Sequence, residues 1–107
     1  MVLEQYQIIL VNLALTAGSE IKKTLPCVIV SPDEMNQYLR TVIIAPLTTR
    51  SRSYPTRVRV LHGNKTGWIV IDQLRTIDKK RVIKILGKLT PGEIEKTKSV
   101  IRKMLVD

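Results

Sequence analysis

The sequence has one cysteine, Cys27, and one histidine, His62. One thiol excludes an intramolecular disulfide, a cysteine-based zinc site and a CxxC redox pair. One imidazole excludes an HExxH zinc site and any mechanism that needs two imidazoles as acid and base. The longest apolar runs, residues 8–11 and 42–46, fall far short of the roughly 20 residues needed to cross a bilayer core. The first five residues, Met1-Val2-Leu3-Glu4-Gln5, contain no basic stretch followed by an apolar one, so no secretory signal is expected. The expected location is therefore cytoplasmic, with Cys27 reduced. No Walker A loop, GxGxxG fingerprint, GxSxG elbow or metal-ligand cluster occurs. Neither a metal nor an organic cofactor is expected, and most nucleotide-dependent, hydrolase and metalloenzyme chemistries drop out.

What remains is mainly positive charge. Eighteen Lys and Arg stand against nine Asp and Glu, a formal net charge of +9 that favours a polyanionic partner. The 107 residues suit one domain, spanning 1–107. Short β-branched runs at 8–11, 26–30, 42–47, 57–60, 68–71 and 82–86 read as strands. Pro26 is placed to start the second of these. The third is apolar on both faces and belongs in the middle of a sheet. Ser31 and Pro32 suggest an N-cap and first helical residue for one short turn. Asp72-Gln73 marks a bend, with 74–77 continuing beyond it, and Asp78 is placed to cap a turn through Arg81. Thr90-Pro91-Gly92-Glu93 fits a capping box opening a C-terminal helix. Ile94, Thr97, Ile101, Met104 and Leu105 share one face of that helix. The pattern predicts a mainly β fold with α: a small, strongly bent antiparallel sheet or barrel with a helix packed on it.

The chemistry concentrates in loops. Lys22, Lys23, Arg50, Arg52, Arg57, Arg59 and Lys65 lie in or beside them, interleaved with Tyr54 and Trp68. Residues 48–53 alternate hydroxyl and guanidinium groups: Thr48, Thr49, Arg50, Ser51, Arg52, Ser53. Such a loop supplies donors to a phosphorane without histidine, which a metal-free ribonuclease requires. A phosphate-binding patch with no chemistry has the same composition.

Three ordered motifs then resemble the MazF/PemK-type toxins of bacterial type II toxin–antitoxin systems. The most specific is Asp72-Gln73-Leu74-Arg75-Thr76-Ile77-Asp78-Lys79. The second is Thr16-Ala17-Gly18-Ser19-Glu20 followed by Pro26-Cys27-Val28-Ile29-Val30. The third is Ala45-Pro46-Leu47-Thr48-Thr49 with Tyr54-Pro55. The resemblance implies a small Src-homology-3-like antiparallel β-barrel (the CcdB/PemK/MazF toxin fold) with a C-terminal helix, assembled as a homodimer. It implies metal-independent, sequence-specific cleavage of single-stranded RNA, leaving 2′,3′-cyclic phosphate and 5′-hydroxyl ends. It also implies an acidic antitoxin as partner, which the positive charge suits. By position, Thr48 matches the catalytic threonine, Glu20 the loop glutamate and Gln73 the strand-end glutamine.

Two positions depart from the family pattern. Leu25 stands where the family has an arginine before the strand-opening proline, and Tyr6-Gln7 falls where typical members have Gly-Asp. Leucine has neither donor nor charge. If a nearby cation replaces the arginine, Lys23 joins Thr48 and Glu20 as catalytic, and Ser19, Lys22, Thr49, Arg50, Arg52 and Gln73 bind RNA. If none does, the protein is a catalytically weak or inactive RNA- or antitoxin-binding module.

Structural roles compete at each position. Thr48 could satisfy a strand-end backbone group, and Glu20 could pair with Lys22 or Lys23. Gln73 could tie two loops together. Arg75 is expected to brace Asp72 or Asp78, Cys27 to be a small buried hydrophobe, and His62 to be exposed and idle. Trp68 is expected in the core or a dimer interface, and Ile94, Ile101 and Leu105 in the helix-on-barrel core.

Overall fold

The structure, a computed structural model, describes residues 1–13 and 23–107. Ser19, Glu20 and Lys22 lie outside the described residues. Among the described residues, seven strands and two helices follow in the order β1 Gln7–Asn12, β2 Thr24–Ile29, α1 Asp33–Tyr38, β3 Thr41–Thr48, β4 Arg57–His62, β5 Lys65–Val70, β6 Arg75–Asp78, β7 Val82–Lys88 and α2 Pro91–Leu105. Single 3₁₀ turns, Ile71–Gln73 and Lys79–Arg81, flank β6. The strands form one mainly antiparallel half-barrel, ordered β4-β5-β3-β2-β1-β7, with β6 added on β3.

β3 is the pivot. One edge pairs with β2; on the other, Thr41 to Ile44 pair with β6, and Leu47 and Thr48 pair with β5. The period-2 alternation of a strand sends neighbouring side chains to opposite faces. Ile8, Val28, Ala45 and Leu47 enter one apolar cluster, while Ile9, Cys27, Ile29, Val42 and Ile44 enter another. Both faces of β1 to β3 are buried, which is why these segments read as continuous apolar runs. Each such Ile or Val contributes roughly 1.5–3 kcal/mol by leaving water. Cys27 is fully buried among them, and burial pushes its thiol pKa up to about 12.

The capping box is formed: Thr90 Oγ1 accepts the Glu93 N–H, and Glu93 Oε1 accepts the Thr90 N–H. Ile94, Val100, Ile101 and Met104 lay α2 on the first cluster. Leu105 does not join them; it is 62% exposed, although its neighbour Met104 packs on the cluster. The Lys79–Arg81 turn is capped as expected, with Asp78 Oδ1 accepting the Lys80 N–H.

Three local expectations are corrected. Pro26 is the third residue of β2, not its first, and faces Leu10 of β1. Ser31 does not cap α1. Pro32 is the N-cap, and buried Ser31 instead donates to Asn36 and accepts the Ile43 N–H, clamping α1 to β3. The segment after the Asp72-Gln73 bend does not extend β5 but crosses to pair with β3. Tyr6, at the position where the family resemblance places a glycine, adopts φ +68. Its N–H donates to Ile29 and its carbonyl accepts from Leu89. These bonds and its packing hold a left-handed backbone that glycine would adopt freely.

Candidate functional site

The β2–β3 ladder runs from Ile29↔Ile44 to Cys27↔Pro46 and goes no further toward Thr48. Pro26 and Pro46, which have no N–H to donate, sit where it ends. Two hollows meet at this point, sharing Leu25, Leu47 and Thr48.

The larger hollow, about 650 Å³, lies over Leu25, Pro46 and Val70 and is lined by Thr48, Arg50, Arg57, Gln73 and Arg75. Thr48 ends β3 and is half-buried. Its Oγ1 accepts the Arg50 N–H at 3.1 Å, so the hydroxyl shapes the start of the following loop. Among the described residues the only acceptor it faces is the Arg50 carbonyl at 3.5 Å, a weak bond that a better acceptor would displace.

The three arginines differ in their engagement. Arg57 is committed to the protein. Its Nε lies 3.3 Å from Asp72, its Nη1 donates to Ser51 Oγ at 2.7 Å, and its guanidinium covers the Tyr54 ring at 4.8 Å. Asp72 also accepts from the Thr56 hydroxyl at 2.6 Å. That hydroxyl, followed by Arg57, holds the Asp72 carboxyl below the usual carboxylate range despite an opposing effect of burial. Among the described residues, the guanidinium groups of Arg50 and Arg75 make no hydrogen bond or ion pair, and both open on the hollow. The expected brace from Arg75 to Asp72 or Asp78 is therefore absent. Arg57 occupies Asp72, and Asp78 caps the Lys80 turn.

The smaller hollow, about 380 Å³, lies toward the β4–β5 hairpin. Leu25, Pro26, Leu47 and Val60 line it with Thr49, His62, Lys65, Thr66 and Gly67. His62 is exposed, as expected, but it stands at this rim. The hairpin turns in two residues, Gly63 and Asn64, with Gly63 at φ +62.

The structure thus brings Thr48, Thr49, Arg50 and Gln73 around one point. Lys23 and Arg52 are exposed and line neither hollow. Trp68 is half-buried and belongs to neither apolar cluster; it lines a groove with Arg59 and Lys96. Among the described residues, no three His, Cys, Asp or Glu side chains gather as a metal site, and no helix is long and apolar enough to cross a membrane. Arg75 and His62 were missed as site residues because topology alone places them there. The available signal was that β6 had to pair somewhere, and the first half of β3, ahead of its pairing with β5, offered the edge.

Residues 4–105 match the PemK-like, MazF-like toxins of type II toxin–antitoxin systems, and the chain belongs to that family. A Staphylococcus saprophyticus subsp. saprophyticus protein named Endoribonuclease MazF is 32% identical over 98 residues, covering 86% of this chain and 82% of that protein. A solved mycobacterial endoribonuclease in complex with its cognate antitoxin superposes with a TM-score of 0.82 at 25% identity, covering 95% of this chain and 93% of that one. The Deinococcus radiodurans MazE-MazF structure gives a TM-score of 0.83 at 20% identity, covering 98% and 97%, a likeness of fold. The expected family and the expected mainly β toxin fold with a C-terminal helix are both borne out.

Proposed function

We propose that this protein is the toxin of a toxin–antitoxin pair, an endoribonuclease that cuts single-stranded RNA without a metal. The observation that carries the reading is the half-buried Thr48 opening on a hollow that also holds the guanidinium groups of Arg50 and Arg75, which are unpaired among the described residues. In the reaction, the RNA 2′-hydroxyl loses its proton and attacks the adjacent phosphorus. The bond to the 5′-oxygen breaks, and that oxygen takes a proton. The products are a 2′,3′-cyclic phosphate and a 5′-hydroxyl. Arg50 and Arg75 offset the growing phosphorane charge, and Thr48 donates to a non-bridging oxygen. Gln73 and Thr49 hold the strand on either side. Glu20 and Lys23 carry the proton transfers, and Ser19, Lys22 and Arg52 extend the RNA contacts. The relatives' names support the activity, and the mycobacterial complex supports an antitoxin partner. An acidic antitoxin matches the +9 charge, and a homodimer completes the assembly.

Incubation with a long single-stranded RNA in EDTA should give defined fragments with 5′-hydroxyl ends, and Thr48→Ala should abolish them. No cleavage at micromolar protein across several salt concentrations overturns the reading. A specific observation favours a second one. Leu25 is apolar and sits at the junction of both hollows. If the chain is a binding module, RNA or antitoxin binds without turnover, and Leu25→Arg creates cleavage.

A further inference from the structure

We propose that the smaller hollow is a nucleobase slot, and that it decides which RNA sequences are cut. This rests on the endoribonuclease reading of the adjoining cavity. The two hollows share Leu25, Leu47 and Thr48, so a strand whose phosphate lies by Arg50 and Arg75 has a neighbouring base at the mouth of the smaller one. The walls suit a base rather than a second phosphate. Leu25, Pro26, Leu47 and Val60 are apolar, and among the described residues the only formal charge at the rim is Lys65. Bases pulled from a single strand bind by their faces on apolar, prolyl or imidazole surfaces and by their edges on polar groups. His62 offers the imidazole. Thr49 and Thr66 offer hydroxyls that both donate and accept, so they can read base edges of either kind.

Gly67 keeps the slot open. A Cβ there meets the Thr48 carbonyl at 3.6 Å, Val60 at 3.9 Å and Leu47 at 4.0 Å, which is ordinary contact. A residue here folds without a clash, yet its further atoms fill the space a base needs. The hairpin wall is fixed in advance. Glu93, while capping α2, uses its second oxygen to accept the Leu61 N–H at 2.8 Å, pinning the end of β4 beside His62. A pre-positioned wall is what discrimination between bases requires.

The test uses single-stranded oligonucleotides around one cut site, with an abasic residue or each of the four bases placed in turn at the flanking positions. For the parent protein, kcat/KM should fall tenfold or more when one particular position is abasic. In Gly67→Val that dependence should shrink to about twofold or less, and in His62→Ala it should weaken several-fold. Thermal melts establish that both variants fold, with Gly67→Ala as the milder substitute. The proposal is overturned if the parent is indifferent to the base at every flanking position. It is equally overturned if both variants keep the parent's discrimination, or lose only their grip on an acidic antitoxin peptide. Should the parent cut no RNA, the endoribonuclease reading fails separately. Anisotropy binding of the same oligonucleotides then decides the slot: base-dependent affinity supports it, and base-indifferent affinity overturns it.

Discussion

The Thr56 hydroxyl donates to the Asp72 carboxylate at 2.6 Å, and this bond ties the loop after β3 to the turn after β5. Arg57, the first residue of β4, reinforces it by bonding both Asp72 and Ser51. The loop that carries Arg50 is therefore held at its far end by a carboxylate 22 positions further along the chain (72 minus 50). The proposed phosphate grip depends on a residue that lies outside the hollow it supports.

Asp72→Ala should reduce cleavage far more than stability. The lost bonds are partly exposed, so unfolding free energy should fall by roughly 1 kcal/mol. Freeing the loop misplaces Arg50, and catalysis that depends on positioning falls on the order of ten- to a hundredfold. Chemical denaturation and single-turnover cleavage of the same samples separate the two effects. A large stability loss with proportionate activity loss would show that Asp72 supports the fold rather than the loop.

The same carboxylate sets an acid limit. Its folded pKa lies below the ordinary value of about 3.9, owing first to the Thr56 hydroxyl and then to Arg57. A depressed carboxylate contributes stability that is fully present above the unfolded pKa and is lost as pH falls through the folded one. The stability difference between parent and Asp72→Asn should be flat from pH 7 to about 5 and shrink below about 4. Urea melts across that range read it directly. A difference that grows toward low pH contradicts the assignment.

Arg75 and Arg57 should behave differently although both line the cavity. The Arg75 side chain makes no hydrogen bond or ion pair to the described residues, so Arg75→Gln should leave stability within about 0.5 kcal/mol. It should weaken RNA binding and lower the slope of log affinity against log salt by about 0.7, the value for one phosphate contact on a single strand. Arg57→Gln loses the Asp72 and Ser51 bonds and should lower the melting temperature measurably. Salt titrations beside thermal melts distinguish the two. Equal melting losses would mean that Arg75 is structural after all.

Legibility followed the range of the interaction. The α2 capping box and the Asp78 cap are local, so residue types three and two positions apart announced them. The apolar runs of β1 to β3 reported burial on both faces of the sheet. Ser31 misled because a serine before a proline has the look of a cap, while its actual partners, Asn36 and Ile43, depend on where β3 passes. The competition between Arg57 and Arg75 for Asp72 was equally hidden. Both are arginines at plausible distances in sequence, and only the crossing of β6 to β3 takes Arg75 to the cavity wall. Leu105 continued the helical stripe, but a stripe does not say how wide the covered face is, and Met104 rather than Leu105 meets the core. Thr48, Thr49 and Arg50 stood out as a loop rich in hydroxyl and guanidinium groups and Gln73 through resemblance, whereas only topology brought Arg75 and His62 beside them.

Two glycines with equal empty space around them should respond to alanine with opposite signs. Neither Gly63 nor Gly92 has any atom within 4 Å of an added Cβ, so packing cannot decide either case. Gly63 opens the β4–β5 turn at φ +62, a conformation that costs an L-residue roughly 1–2 kcal/mol. Gly92 is the second residue of α2, with ordinary helical backbone, where alanine restricts the unfolded chain and gains roughly 0.4–1 kcal/mol. Gly63→Ala should therefore lower the melting temperature by several degrees, and Gly92→Ala should raise it by a few. Because Gly63 also positions His62 and Lys65, its variant should blur base discrimination in the oligonucleotide assay, while Gly92→Ala leaves discrimination unchanged. If both variants moved the melting temperature in the same direction, the left-handed turn would not be the source of the hairpin's shape.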